Sequence, residues 1–245
     1  MKKVLILGGA SAIAHQTAKG FANEGVKLML ADLNLGRLEA VRDDILSFYK
    51  CDIQLKEFDA AQFDTHKAFI DECIHELGGL DMVLIAYGTL PDQELMEKDN
   101  LAAVREFNLN ATSIISLSTI IANYFEEKCD GTLAVISSVA GDRGRKSNYL
   151  YGAAKGAITR FLQGLRNRLD RKGVKIVTIK PGMVDTPMTA HMPKGFLFSD
   201  SKIVGKQIYN AMNEGKDIVF VPGHWRFIMW IIIHIPEFIF KKLDL

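Results

Sequence analysis

The chain has 245 residues, 48% of them hydrophobic and 24% charged, with a net charge of +1. That length holds one large α/β domain or two small ones, and the balance excludes a disordered chain and gives no bulk electrostatic footprint for nucleic acid. Cys51, Cys73 and Cys129 are scattered without metal or redox spacing, so a reducing compartment and no metal centre are expected.

Short apolar runs alternate with helix-length amphipathic segments along the chain. Strands are predicted over 4–7, 27–31, 54–58, 82–86, 133–137, 176–179 and 218–221, and helices over 12–24, 35–49, 62–77, 100–127, 149–171 and 200–214. This alternation predicts a Rossmann-type, doubly wound, seven-stranded parallel sheet with helices on both faces. Residues 1–222 read as that domain and 223–245 as a separate apolar tail. The start Met1-Lys2-Lys3 has the charge of a signal peptide, but its apolar run stops at Gly8 and no cleavage pattern follows. No stretch reaches the about eighteen apolar residues that suggest a membrane span, so a cytoplasmic protein is expected, with the inner face of the membrane as a second setting.

The first strand runs into Gly8-Gly9-Ala10-Ser11-Ala12-Ile13-Ala14 and then a helix. Small residues between a strand and a helix N-terminus let backbone N–H groups and the helix dipole meet a pyrophosphate, which marks Gly8, Ser11, Ala12 and Ile13 as cofactor contacts. Gly8, Ala12 and Ala14 keep a Gly-x-x-x-Gly-x-Gly spacing with two glycines replaced: Ala14 at the helix-packing position, Ala12 where it narrows the phosphate space. An ordinary tight βα turn is the structural alternative. Asp32, twenty-four residues past Gly8, ends the second strand, where a carboxylate accepts both ribose hydroxyls and repels a 2′-phosphate. Leu33 follows and Arg37 lies a helical turn on, so NAD(H) is expected in preference to NADP(H). Asp59 and Ala60, after the third strand, are candidates for adenine contact, or Asp59 is a helix cap.

Tyr151 and Lys155 lie four apart in a predicted helix and so share a face, and Ser138 stands thirteen residues before the tyrosine at the end of an apolar strand. An ammonium beside a phenol favours its ionised form, which makes Tyr151 a proton donor or acceptor for an oxygen that Ser138 also holds.

In this order the motifs resemble the short-chain dehydrogenase/reductase family over nearly the whole chain. The resemblance implies a catalytic tetrad of Asn108, Ser138, Tyr151 and Lys155. Asn110 is the rival to Asn108, which fits the family's Asn-x-x-Gly/Ala pattern with Ala111. It further implies cofactor contacts at Ala86, Gly88, Pro181, Gly182, Val184 and Thr186, with Tyr151 and Lys155 serving the cofactor as well. Ala86-Tyr87-Gly88 stands where Asn-Ala-Gly is usual, so Tyr87 reshapes the wall near the nicotinamide. The implied chemistry is hydride transfer to a carbonyl carbon, with Tyr151 as general acid, Ser138 on the oxygen, Lys155 favouring the tyrosinate and holding the nicotinamide ribose, and Asn108 holding a water.

The tail over 225–245 is rich in aromatic and aliphatic residues, with Arg226, Lys241 and Lys242 near its ends and Pro236 within it. Two readings stand: helices lying in a membrane interface, or a segment packed on its own core or on a second copy. The tail, the run from Ser137 to Tyr151 and the run from Met188 to Met192 resemble one subgroup, the decaprenylphosphoryl-2-keto-pentose reductases. That implies an epimerase subunit for a cell-wall precursor, with a lipid-linked sugar substrate and a flavoprotein oxidase partner. Arg143, Arg145 and Lys146 then meet the lipid phosphate, or form a solvated loop. His191 and Met192 lie in a lid-like 183–199 segment, and Met183, Met188 and Met192 suit an apolar wall. A general short-chain reductase and an NAD(H)-sensing binding protein are the other functions open. A homo-oligomer through the helices over 100–127 and 149–171 is expected, by family pattern.

Overall fold

The computed structural model describes residues 1–243; residues 244 and 245, the end of the tail, lie outside them. Its elements follow the alternation: β1 (Lys3–Leu7), α1 (Ala12–Ala22), β2 (Lys27–Asp32), α2 (Leu35–Leu46), β3 (Asp52–Glu57), α3 (His66–Leu77) and β4 (Met82–Ile85). Two short helices, α4 (Gln93–Lys98) and α5 (Asn100–Phe107), precede α6 (Ser113–Lys128), β5 (Gly131–Ile136), α7 (Tyr149–Leu169) and β6 (Val174–Pro181). Two-residue strands β7 (Val184–Asp185) and β8 (Ser199–Asp200) pair with each other before α8 (Ser201–Glu214), β9 (Ile218–Val221), α9 (Trp225–His234) and α10 (Glu237–Phe240).

Seven strands form one sheet in the order β3-β2-β1-β4-β5-β6-β9, every pair parallel. Side chains alternate between two buried faces, which is why the central strands are apolar throughout rather than every second residue. Leu5, Leu7, Val83, Ile85, Leu133 and Val135 pack with residues of α3, α6 and α7. Val4, Ile6, Leu84, Ala134 and Val177 pack on the other face with residues of α1, α2 and α8. The chain winds outward from β1 through β2 and β3, then returns to β4 and winds the other way. That reversal leaves a crevice at the carboxyl ends of β1 and β4, the usual ligand position in such sheets.

Two departures from the expected elements shape the site. The helix predicted over 100–127 is α5 and α6 joined by one π-helical turn at Asn108–Thr112. Pro236 divides the tail: Ile235 is extended, as the residue before a proline prefers, so α9 ends and α10 starts in a new direction. Trp225 and Met229 of α9 are buried with Val139, and Met183, Leu197 and Phe220 pack against them. Phe227, Trp230, Ile231 and Ile233 face outward and are exposed. Among the described residues no helix is long and apolar enough to cross a membrane.

Candidate active site

A cavity of about 460 Å³ opens over the crevice. Gly8 turns the chain at its rim with φ at 82°, and a Cβ there would lie 2.5 Å from the backbone nitrogen of Tyr87, so the turn closes on β4 only as glycine. Ser11 caps α1 by accepting from the Ala14 N–H at 3.2 Å, and Ser11, Ala12 and Ile13 line the cavity. Ala14 is fully buried in the α1 packing, the position where the missing glycine costs least. Asp32 accepts from the Ala10 N–H at 3.1 Å while Arg37 donates to the Ala10 carbonyl at 3.1 Å. Both side chains line the cavity. Sequence reading set Arg37 aside; α2 begins directly after β2, with Asn34 capping the Arg37 N–H, and that folds the arginine back.

Asp59 and Ala60 follow β3 at the turn into α3. Asp59 accepts from the Ala61 N–H at 2.9 Å and from Gln62 Nε2 at 3.3 Å, Ala60 is buried, and neither is among the residues lining the cavity. Asp59 is a turn cap.

The chemical groups gather at the ends of β4, β5 and β6. Ser138, just past β5, accepts from the Ala140 N–H at 3.1 Å. The loop after it lies directly on α7: a Cβ on Gly141 would fall 2.7 Å from the backbone of Lys155 and Gly156. This approach brings Ser138 to Tyr151, whose phenol is its hydrogen-bond partner. Lys155 is 2% exposed and donates to the Ile136 carbonyl at 3.1 Å, with its Nζ 5.5 Å from the Tyr151 ring centre. Burial pushes the phenol of Tyr151 up to about 12, with the Ser138 hydrogen bond opposing it, and pushes Lys155 down to about 8. Burial thus favours the neutral form of each group, with Lys155 one helical turn beyond the phenol.

Asn108 is also corrected. Its Oδ1 accepts from Thr112 one turn on at 3.1 Å. Asn110 is 1% exposed, accepts from the Thr89 N–H at 3.0 Å and donates to Thr89 Oγ1 at 2.8 Å. Asn110 Oδ1 and Lys155 Nζ lie 2.9 and 3.4 Å from the point a Gly88 Cβ would occupy, so Asn110 is the asparagine beside the lysine. Ala86, Tyr87 and Gly88 line the cavity, and the Tyr87 hydroxyl pairs with Ser113 Oγ at 2.8 Å. Burial raises the Tyr87 phenol, with the Ser113 hydrogen bond opposing it.

Pro181, Gly182, Val184 and Thr186 line the opposite wall. A Cβ on Gly182 would overlap the indole of Trp225. Gly182→Ala is therefore expected to displace α9 and lower the melting temperature by several degrees, read by thermal unfolding; an unchanged transition contradicts this contact.

The basic loop before Tyr151 divides. Arg143 donates to the carbonyls of Ile232, Ile233 and Ile235 and to Glu237, with its guanidinium 3.7 Å from the Phe240 ring centre, so its expected place on a substrate phosphate is corrected to that of a C-terminal cap for α9. Arg145 lines the cavity and touches Met229 Sδ at 3.9 Å. Lys146 is exposed, has partners of its own and is not among the lining residues. His191 is likewise exposed and outside the lining, whereas Met183, Met188 and Met192 are within it. Sequence reading missed Leu90, Asn148 and Trp225, all of which line the cavity. Among the described residues no three His, Cys, Asp or Glu side chains gather as a metal site.

The family model described as short chain dehydrogenase matches residues 2–195. An uncharacterized oxidoreductase in the mprA 5′ region of Streptomyces coelicolor is 31% identical over 245 residues, spanning 99% of this chain and 96% of the relative. An uncharacterized oxidoreductase of Mycobacterium tuberculosis is 30% identical over 240 residues, spanning 98% and 96%. The crystal structure of levodione reductase superposes with a TM-score of 0.83 over 91% of this chain and 97% of its own, at 20% identity, which is a likeness of fold.

Proposed function

The chain belongs to the short-chain dehydrogenase family and is a nicotinamide-dependent oxidoreductase of the CH–OH/C=O type, and on that premise we propose that it uses NADH to reduce a ketone on a sugar carried by a polyprenyl phosphate. The observation that carries this reading is one continuous cavity. It runs from Asp32 past Ser138 and Tyr151 to a wall of Met183, Met188, Met192 and the tail residue Trp225. A polar trough that ends in thioethers and an indole suits a polar reacting group on an apolar carrier.

The trough fits a nicotinamide dinucleotide: Gly8, Ser11, Ala12 and Ile13 line it with small groups at the N-terminus of α1, and Asp32 ends β2 as a hydroxyl acceptor. Bound there, the cofactor supplies a hydride. Asp32 holds the adenosine ribose, the N-terminus of α1 receives the pyrophosphate, and Thr186 and Lys155 orient the nicotinamide end. Tyr151 gives its phenolic proton to the carbonyl oxygen as that oxygen becomes an alkoxide, and Ser138 donates a hydrogen bond to the same atom. Lys155, buried between Tyr151 and Asn110, is placed to return a proton to the phenol.

The pH dependence follows from the two shifts. A phenol at about 12 keeps the acid loaded through neutral pH, while Lys155 loses its proton as the pH rises through about 8. NADH-dependent reduction is expected to hold level below that point and decline above it. A rate that climbs through it contradicts the roles given to both residues.

Cofactor choice is a competition between Asp32 and Arg37 over one spot. Asp32→Ala removes the ribose acceptor and the repulsion together and leaves Arg37, a partner for a 2′-phosphate. The NADPH-to-NADH ratio of kcat/KM is expected to rise at least about tenfold, since one charge-assisted contact changes sides. An unchanged ratio removes Asp32 from the cofactor site.

The ketone must come from oxidation of the sugar's hydroxyl, a step for a separate flavoprotein. The exposed aromatic face of α9, flanked by Arg226, Lys241 and Lys242, suits the membrane interface where a polyprenyl substrate resides. The direct test offers farnesylphosphoryl 2-keto-pentose and small water-soluble ketones in parallel with NADH. Preferential reduction of the lipid-linked ketone supports the proposal, and equal or better use of the small ketones replaces it with a general reductase.

A further inference from the structure

Among the described residues, three polar atoms of residues that line the cavity are buried without a hydrogen-bond partner: Nε of Arg145, Oδ1 of Asn148 and Nε1 of Trp225. Buried polar atoms are nearly always paired, so three such atoms on one cavity call for a common explanation. Each misses a partner for a visible reason. Two acids of the adjoining loop and tail are engaged elsewhere: Asp142 pairs with Lys180 at 2.5 Å and Glu237 with Arg143 at 2.9 Å. What Arg145 touches instead is a thioether, Met229 Sδ. Asn148 stands at the N-cap of α7 but does not cap it; Gln93 Oε1 takes the Leu150 N–H at 3.0 Å. Trp225 is 3% exposed, and its indole nitrogen abuts Gly182.

Resting on the ketoreductase reading above, we infer that Arg145 and Asn148 form a subsite for an anionic, hydroxyl-bearing part of the substrate, so that the enzyme selects charged amphiphiles over neutral ones. A guanidinium in a partly apolar cavity lacks a counter-charge that the ligand supplies, and burial already weakens its hold on its own proton. The free acceptor of Asn148 takes a hydroxyl hydrogen. Both residues lie in the turn closed by the Asn148 N–H to Arg145 carbonyl bond, immediately before Tyr151, which places the anion beside the reacting carbonyl. Met183, Met188 and Met192 of the same cavity supply the apolar wall along which the carrier chain lies. Asn148 and Trp225 are absent from any reading based on charge pattern, because neither carries a charge.

The test is equilibrium binding to the full chain without cofactor, followed by the fluorescence of its two tryptophans, Trp225 and Trp230. The probes are farnesyl phosphate, farnesol and inorganic phosphate. Farnesyl phosphate is expected to bind at least about tenfold tighter than farnesol, and Arg145→Met to erase that difference while NADH affinity is kept. Asn148→Asp, which preserves size and adds a negative charge, is expected to weaken farnesyl phosphate to a similar extent and serves if Arg145→Met does not fold. Inorganic phosphate binding with the same dependence on Arg145 assigns the subsite to the anion alone; its failure to bind makes the lipid necessary. Equal affinity for farnesyl phosphate and farnesol, or farnesyl phosphate binding indifferent to both substitutions, overturns the inference. If Arg145 governs binding but no lipid-linked keto-sugar is reduced, the subsite stands and the proposed substrate falls. If the keto-sugar is reduced equally well by Arg145→Met, the subsite falls alone.

Discussion

Tyr151→Phe is expected to lower ketone reduction by about a hundred- to ten-thousandfold, the usual worth of a positioned general acid, and to leave NADH binding within about twofold. The change deletes one hydroxyl and keeps the ring that stands 5.5 Å from Lys155 Nζ. Folding should survive, because the lost oxygen's one partner is Ser138 and removing a side chain's hydroxyl from a pair open to a cavity costs about 1 kcal/mol. The loss belongs to kcat, because the proton moves only as the carbonyl becomes an alkoxide. Ser138→Ala removes one hydrogen bond to that oxygen and should cost less. Single-turnover reduction at saturating NADH separates the two. A Tyr151→Phe enzyme with near-normal turnover assigns the acid elsewhere, and Tyr87 is no replacement, since its hydroxyl is committed to Ser113.

Arg143→Ala is expected to release the tail. The last carbonyls of a helix have no partners within it, and at α9 a single guanidinium serves Ile232 at 2.8 Å, Ile233 at 3.2 Å and Ile235 at 2.5 Å. The same group stacks on Phe240. Losing these charge-assisted bonds together should cost about 2 to 4 kcal/mol. Glu237→Gln is the contrast, expected to cost less than about 1 kcal/mol, because Glu237 is largely exposed and its pairing with Arg143 is screened. Release would uncover Trp225 and Met229 and unpin the loop between Ser138 and Tyr151. The expected signature is tail cleavage by protease, faster amide exchange in α9 and reduced turnover, all in Arg143→Ala and none in Glu237→Gln. A wild-type cleavage pattern in Arg143→Ala means that the tail is held by its apolar contacts alone.

These two residues show what a sequence discloses and what it hides. Tyr151 and Lys155 are legible because a regular helix fixes which residues share a face, and the parallel sheet is legible because its central strands are apolar on both faces. Arg143 is not legible: its partners lie 89 to 94 residues away, and charge in a Gly-containing loop looks the same whether solvated or spent on a helix end. Asn108 misleads for a different reason. The π turn at 108–112 carries one extra residue, which rotates the helix face, and nothing in Asn-Leu-Asn-Ala-Thr announces that turn. The burial that raises the Tyr151 phenol is likewise not recorded in local spacing. Arg37 shows the same limit, since the tight entry into α2 and not its place in the sequence brings it to the cavity.

The central claim is that Tyr151 and a nicotinamide cofactor together reduce a lipid-linked ketone, and the most direct measurement follows the hydride itself. NADH deuterated at C4 is incubated with the protein and membranes from its own source, lipids are extracted, and masses are compared with a Tyr151→Phe control. The account predicts a one-deuterium gain in a polyprenyl-phosphate sugar, present with the native enzyme and absent with Tyr151→Phe. Label confined to water-soluble products, or lipid label that persists in Tyr151→Phe, would contradict it.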